Sequence, residues 1–165
     1  MTNNEIISYI YKGRNTIKDK KDNSIIVKLL EKLGNPQDNL KFIHITGTNG
    51  KGSTTTMMAN VLKNSGYKVG KFISPFIISF NERIQINNVF ITDEELEEYI
   101  KIIDPIITDM ESNGEAPNGF EIITAIAFMH YNKNNCDIVC LEVGMGGRLD
   151  PTNVITTTIL SIITV

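Results

Sequence analysis

The sequence contains no tryptophan, only two cysteines and two histidines, and no uninterrupted apolar run long enough to cross a bilayer. Each shortage removes a class of function. A hydrocarbon core asks for about 20 consecutive apolar residues in a helix, so a membrane partner is not expected. Cys136 and Cys140 share one apolar, strand-like run, with no second Cys/His pair at metal-site spacing. Buried free thiols are therefore expected, not a disulfide or a zinc site. His44 and His130 are isolated in the sequence, which makes core or surface roles the default for both. Basic stripes are missing as well. The net charge is -3, and the short cluster Lys18, Lys20, Lys21 is broken by Asp19 and Asp22. A solvated loop is expected there, and no nucleic-acid partner. The amino terminus carries Glu5 and lacks the basic-then-apolar order of a signal peptide, so the cytoplasm is the default compartment.

What remains is a chain of 165 residues, 41% hydrophobic and 21% charged, which suits one soluble domain with a real core. No internal repeat or low-complexity segment interrupts it. The patterning predicts helices over 5–12 and 24–33, the second closed by Gly34 with Pro36 just beyond. Strands are predicted at 41–46, 67–73, 136–143 and 155–165, and further helices at 54–65, 93–110 and 120–132. Thr92 and Glu95 form a capping box for the helix at 93, which Pro105 is expected to kink or interrupt. The helix at 120 reads as amphipathic, and the stretch from Ser74 to about Ile91 as a long loop. The last run, ITTTILSIITV, is β-branched and apolar, typical of a buried strand. A central strand needs neighbours on both edges, so the chain looks truncated. Strands alternating with helices predict an α/β fold with a mostly parallel sheet. Ligands of such sheets collect beyond the carboxyl ends of the strands.

Gly47-Thr48-Asn49-Gly50-Lys51-Gly52-Ser53-Thr54 follows a strand and opens a helix. Glycines let the backbone turn tightly and aim successive N–H groups at an anion, and the helix adds the positive end of its dipole. In that setting Lys51 would reach the β- and γ-phosphates of ATP, and a hydroxyl just inside the helix, Ser53 or Thr54, would ligate Mg²⁺. Gly52 separates Lys51 from Ser53, so the common G-x-x-x-x-G-K-[ST] pattern is not met.

GTNGKGS, with glycine between lysine and serine, resembles the nucleotide loop of the Mur-ligase superfamily and its folylpolyglutamate synthase branch. Gly34-Asn35-Pro36-Gln37 upstream fits the same pattern. So does Ser74-Pro75-Phe76…Phe80-Asn81-Glu82-Arg83-Ile84, which resembles the segment that this branch places beside the folate site. A third match is Glu142-Val143-Gly144-Met145-Gly146-Gly147-Arg148-Leu149-Asp150-Pro151-Thr152-Asn153-Val154, in which Pro151 stands where alanine is more usual. Phe120-Glu121 and Thr124 resemble a further FE…T stretch, although Asn118-Gly119 before it is less typical.

The resemblance implies a P-loop-containing, Mur-ligase-like central domain, represented here over 1–165 by its amino-terminal part, without the carboxy-terminal ligase domain. It also implies ATP-dependent joining of L-glutamate to the γ-carboxylate of a folate through an acyl phosphate, with ATP and Mg²⁺ as cofactors. The full-length form is expected to be a monomer. Lys51 and Glu142 are the expected catalytic residues, and Gly47 to Thr54 the nucleotide loop. Ser53, Ser74 and Glu142 are expected around the metal. Ser74, Pro75, Phe76, Asn81, Glu82 and Arg83 are expected at the folate, Arg83 as a carboxylate fork. Asp150 and Asn153 are expected to brace their loop. Two other readings stand beside this one: another Mur-type amino-acid ligase, or a non-catalytic ATP-binding fragment. On the expectation of truncation, the chain alone should not catalyse ligation.

Overall fold

The computed structural model describes residues 1–12 and 22–165; Lys18, Asp19, Lys20 and Lys21, expected in a solvated loop, lie outside them. The described helices are α1 (Asn3–Tyr11), α2 (Ser24–Lys32), α3 (Lys51–Asn64), α4 (Asp93–Ser112) and α5 (Gly119–Lys133). The strands are β1 (Phe42–Gly47), β2 (Val69–Phe72), β3 (Ile84–Ile86), β4 (Val89–Phe90), β5 (Ile138–Glu142) and β6 (Thr158–Thr164). They form one sheet in the order β4-β3-β2-β5-β1-β6. β2, β5, β1 and β6 run parallel, while β3 and β4 add an antiparallel edge. The architecture is the predicted α/β, mostly parallel sheet.

Strand alternation divides the core into two layers. Phe42, Phe72, Val139 and Leu141 face α1, α2, α4 and α5, where Ile6, Leu29, Ile103 and Phe128 meet them. Ile43, Ile45, Val69 and Cys140 face the other way, onto Ala59 of α3. Cys136 and Cys140 are buried free thiols, and burial pushes Cys140 up to about 12. That is the inert kind of thiol expected from their apolar run.

Several boundaries follow from cap chemistry. α2 ends with Gly34 at φ +78° and the Asn35 amide bonded back to Leu30 O at 2.8 Å, a Schellman closure. Thr92 and Glu95 cap α4 reciprocally. Pro105 neither ends nor interrupts α4, which runs continuously through it. Both Pro105 and Lys101, whose carbonyl loses its partner, lie on the exposed side of the helix, where water replaces the bond.

Three further expectations change. α5 is not amphipathic: from Glu121 to Tyr131 every residue except Met129 is buried, because the helix is enclosed by α1, α2 and α4 and by the sheet, which Phe128 and Tyr131 meet at Phe42 and Lys71. The stretch after Ser74 is not one long loop but contains a 3₁₀ turn, Phe80–Arg83, and the β3–β4 hairpin. Asn87 and Asn88 both take positive φ there, as a two-residue hairpin turn demands. Finally, β6 is not a buried strand among the described residues. It pairs with β1 alone, and Ile159, Leu160 and Ile163 are exposed. Its apolar β-branched pattern reports strand character, whereas burial requires covering elements that the described residues do not provide.

Candidate active site

β1 delivers the glycine loop. Gly47, at φ +140°, turns the chain out of the strand, and Gly50, at φ +77°, sits at the N-cap of α3. Both conformations are ones that side-chain-bearing residues rarely adopt. A methyl on Gly47 would also overlap the Thr164 hydroxyl and come within 2.5 Å of the Thr164 carbonyl oxygen. α3 starts at Lys51, three residues earlier than its apolar pattern suggests. Lys51, Gly52 and Ser53 therefore form its first turn, whose N–H groups have no carbonyl to bond within the helix. Lys51 folds back over the loop, its Nζ donating to Gly47 O at 2.9 Å.

β5 is the direct neighbour of β1, with Ile45 opposite Glu142. Both glycine-rich loops thus leave the same edge of the sheet side by side, and Thr46 Oγ1 donates to Gly146 O at 2.7 Å. Glu142 is buried and turned toward α3: a Cβ placed on Gly52 would lie 3.5 Å from its Oε2. The same oxygen accepts the Ser74 amide at 2.9 Å. Burial raises the Glu142 pKa, opposed by the Ser74 amide and by Lys51 and Arg83. Glu142, Ser74 and the start of α3 therefore share one corner.

The segment from Ser74 to Arg83 divides into two kinds of residue. Asn81 and Glu82, expected among the substrate contacts, are engaged in holding the turn. Asn81 Nδ2 donates to Ile91 O at 2.8 Å and to Asp93 Oδ1 at 2.8 Å. The Glu82 carboxylate accepts the Ile77, Ile78 and Ser79 amides at 3.0, 2.9 and 2.7 Å, which lowers its pKa. Arg83 differs. It is 7% exposed, its guanidinium carbon lies 5.3 and 5.6 Å from the Phe76 and Phe80 ring centres, and Nε and Nη1 have no hydrogen-bond partner among the described residues. Pro75 follows a cis peptide bond and is exposed.

Beside this corner lies a mainly apolar cleft of about 340 Å³, walled by Ser74, Asn118, Phe120, Met145, Leu149 and Asp150. Of the residues expected at the folate, only Ser74 lines it. Asn118 caps α5, accepting the Phe120 and Glu121 amides at 2.9 Å, while its own amide donates to Glu121 Oε2 at 2.9 Å. That reciprocal cap is legible as N-x-x-E before an apolar run; its place at the mouth of a cleft is not. The Asp150 carboxylate accepts the Met145 and Thr152 amides at 2.8 and 2.9 Å, and Asn153 Nδ2 reaches Arg148 O at 3.3 Å. Both hold the loop closed.

Residues 45–164, the greater part of the chain, match the family model described as the Mur ligase middle domain. The chain belongs to this family. As a Mur-ligase middle domain it is 42% identical over 131 residues to the dihydrofolate synthase/folylpolyglutamate synthase of Bacillus subtilis, covering 78% of this chain and 30% of that enzyme. It is 39% identical over 158 residues to the folylpolyglutamate synthase of Lacticaseibacillus casei, covering 94% of this chain and 37% of the other. A solved complex of FPGS with AMPPCP and folate superposes with a TM-score of 0.91 at 38% identity, covering 99% of this chain and 40% of that one. The chain spans well under half the length of these relatives.

Proposed function

We propose that this chain supplies the nucleotide- and folate-binding part of an ATP-dependent ligase that joins L-glutamate to the γ-carboxylate of a folate. The observation that carries this reading is the convergence at one sheet edge of the Gly47–Ser53 loop, the buried Glu142 bonded to the Ser74 amide and a mainly apolar cleft beside Phe120. Relatives named folylpolyglutamate synthase, one of them bound to AMPPCP and folate, support it. The buried free thiols suit a reducing cytoplasm.

In this reading the loop amides and Lys51 hold the β- and γ-phosphates of ATP. Ser53, Ser74 and Glu142 would hold Mg²⁺, offering two hydroxyls and one carboxylate, the hard oxygen ligands that this ion prefers. The described residues contain no cluster of three His, Cys, Asp or Glu that would form an all-protein cage. When bound, the ion neutralises phosphate charge. Ser74, Asn118 and Asp150 give the mainly apolar cleft three polar points, and Phe120 gives it an aromatic face, a combination suited to a flat heteroaromatic ring. Nε and Nη1 of Arg83, without a hydrogen-bond partner among the described residues, orient a carboxylate. Asn81 and Glu82 act at one remove, holding the turn that carries Arg83.

The chemistry follows from leaving-group quality. The folate carboxylate oxygen attacks the γ-phosphorus, releasing ADP and forming an acyl phosphate; the glutamate amine then attacks the acyl carbon and phosphate departs. The side chains contribute position and charge neutralisation. Titration calorimetry of the chain with Mg·AMPPCP and with folate tests the assignment. Independent binding of both is expected. Absence of folate binding, or competition between the two ligands, would remove the folate half of the proposal.

A further inference from the structure

His44 has no part in the chemistry proposed above, yet its place on β1 ties it to the cleft. Alternation turns Phe42 and His44 away from the face of Ile43 and Ile45. His44 Nε2 lies 2.8 Å from Oγ1 of Thr152, 108 residues further along the chain. Thr152 is wholly buried. Its hydroxyl donates to Asp150 Oδ1 at 2.6 Å and its amide to the same oxygen at 2.9 Å, while the Met145 amide donates to Oδ2 at 2.8 Å.

The order of donors is determined. A threonine hydroxyl has one hydrogen, and Asp150 takes it, so Thr152 Oγ1 can only accept from His44. That assigns the Nε2–H tautomer to the imidazole. The imidazolium would donate from the same nitrogen; burial lowers the His44 pKa, with Asp150 opposing, and so favours the neutral form over the cation. The same strand grips the loop a second time through Thr46 and Gly146. β1 thus holds both ends of the segment from which Met145, Leu149 and Asp150 face the cleft.

We propose that His44 is a positioning residue: through Thr152 it fixes the Asp150 carboxylate, and with it the loop wall that a cleft-bound ring meets. Without the imidazole N–H, the Thr152 oxygen loses its donor in a wholly buried site. The Thr152–Asp150 bond then loses the polarisation that the imidazole donor gives it, so its hold on the carboxylate weakens. The ligand part of this inference rests on the assignment of the cleft to folate; the geometric part does not.

Two variants separate the outcomes. His44→Leu fills the space without a donor, while the side-chain amide of His44→Gln can donate to Thr152. Folate and Mg·AMPPCP affinities are measured by calorimetry, and the His44 ring nitrogens and the Met145 and Thr152 amides are followed by ¹⁵N NMR. The wild-type ring should show a protonated Nε2 and a bare Nδ1. His44→Leu should shift both loop amides and weaken folate about five- to tenfold, the worth of one buried hydrogen bond. Mg·AMPPCP affinity should stay within about twofold, since no phosphate contact depends on this bond. His44→Gln should restore the amides and the folate affinity. Unmoved amides in His44→Leu overturn the proposal, and so does a His44→Gln variant as damaged as His44→Leu, which would leave His44 a space-filler. Should the wild-type chain bind no folate, the cleft assignment fails, and the ring tautomer and loop amides alone decide for or against positioning.

Discussion

Gly144→Ala tests whether the cleft wall is as tightly fitted as its geometry implies. Gly144 follows Val143 at the end of β5, and its φ lies outside the positive region, so alanine meets no backbone strain there. The obstacle is steric. A methyl at Gly144 would lie 2.7 and 2.8 Å from Phe120 Cζ and Cε1 and 3.1 Å from Asp150 Oδ2. Carbon pairs are most favourable at about 3.5–4.0 Å, so the ring must retreat by about 1 Å. The directions open to it are the packed core, where Phe72 sits with its ring centre 5.9 Å away, and the cleft. Forcing one methyl into a fitted site costs about 1–3 kcal/mol. We expect stability to fall by about 1–2 kcal/mol, which at this size is about 2–4 °C in Tm for each kcal/mol. A ring displaced into the cleft should also weaken folate about tenfold, the equivalent of about 1.4 kcal/mol. Gly147→Ala is the control, since a methyl there meets nothing within 4 Å and its φ is not positive. Urea unfolding and folate calorimetry on both variants decide the matter. If Gly144→Ala matched Gly147→Ala in both measurements, the fitted wall at Phe120 would be refuted.

Lys51→Ala should abolish measurable Mg·AMPPCP binding while the circular dichroism spectrum stays native; retained affinity would remove Lys51 from the phosphate site. Gly70→Ala should cost about 1–3 kcal/mol in urea unfolding, because a methyl would press to 2.8 Å on the ring of Tyr131, itself anchored by its hydroxyl to Lys71 O at 2.6 Å. An unchanged midpoint would show that the ring yields. Burial raises the Glu142 pKa in the folded state, so the folded chain holds that proton more tightly than the unfolded one. Stability from this group is thus complete below the ordinary carboxylate range and is lost as pH rises through the folded pKa. Glu142→Gln, which escapes that loss, should therefore raise the Tm of the ligand-free chain at neutral pH, with the gain shrinking on acidification. A gain independent of pH would contradict the burial argument, and the same variant should lose Mg²⁺-dependent nucleotide binding.

Local chemistry explains what was legible in one dimension. Capping at Thr92 and Glu95, the left-handed stop at Gly34 and the glycine turn before Lys51 each depend on residues within a few positions of one another. Alternating strand and helix patterns likewise determined a mostly parallel α/β sheet, because each period reports the face a residue presents to the core. Contacts between distant segments left no such trace. The burial of α5 on all sides depends on α1, α2 and α4 closing around it, and an apolar helix reads similarly whether one face or every face is covered. The exposed faces of β6 make the same point in reverse, since its β-branched run encodes extended backbone and not the neighbours that would cover it. Glu142 reaches Ser74 and the Gly52 turn only because β5 inserts between β1 and β2 in the sheet. His44 meets Thr152 across 108 residues for the same reason: β1 and the loop after β5 are neighbours in space, and strand order is a property of the whole packed sheet.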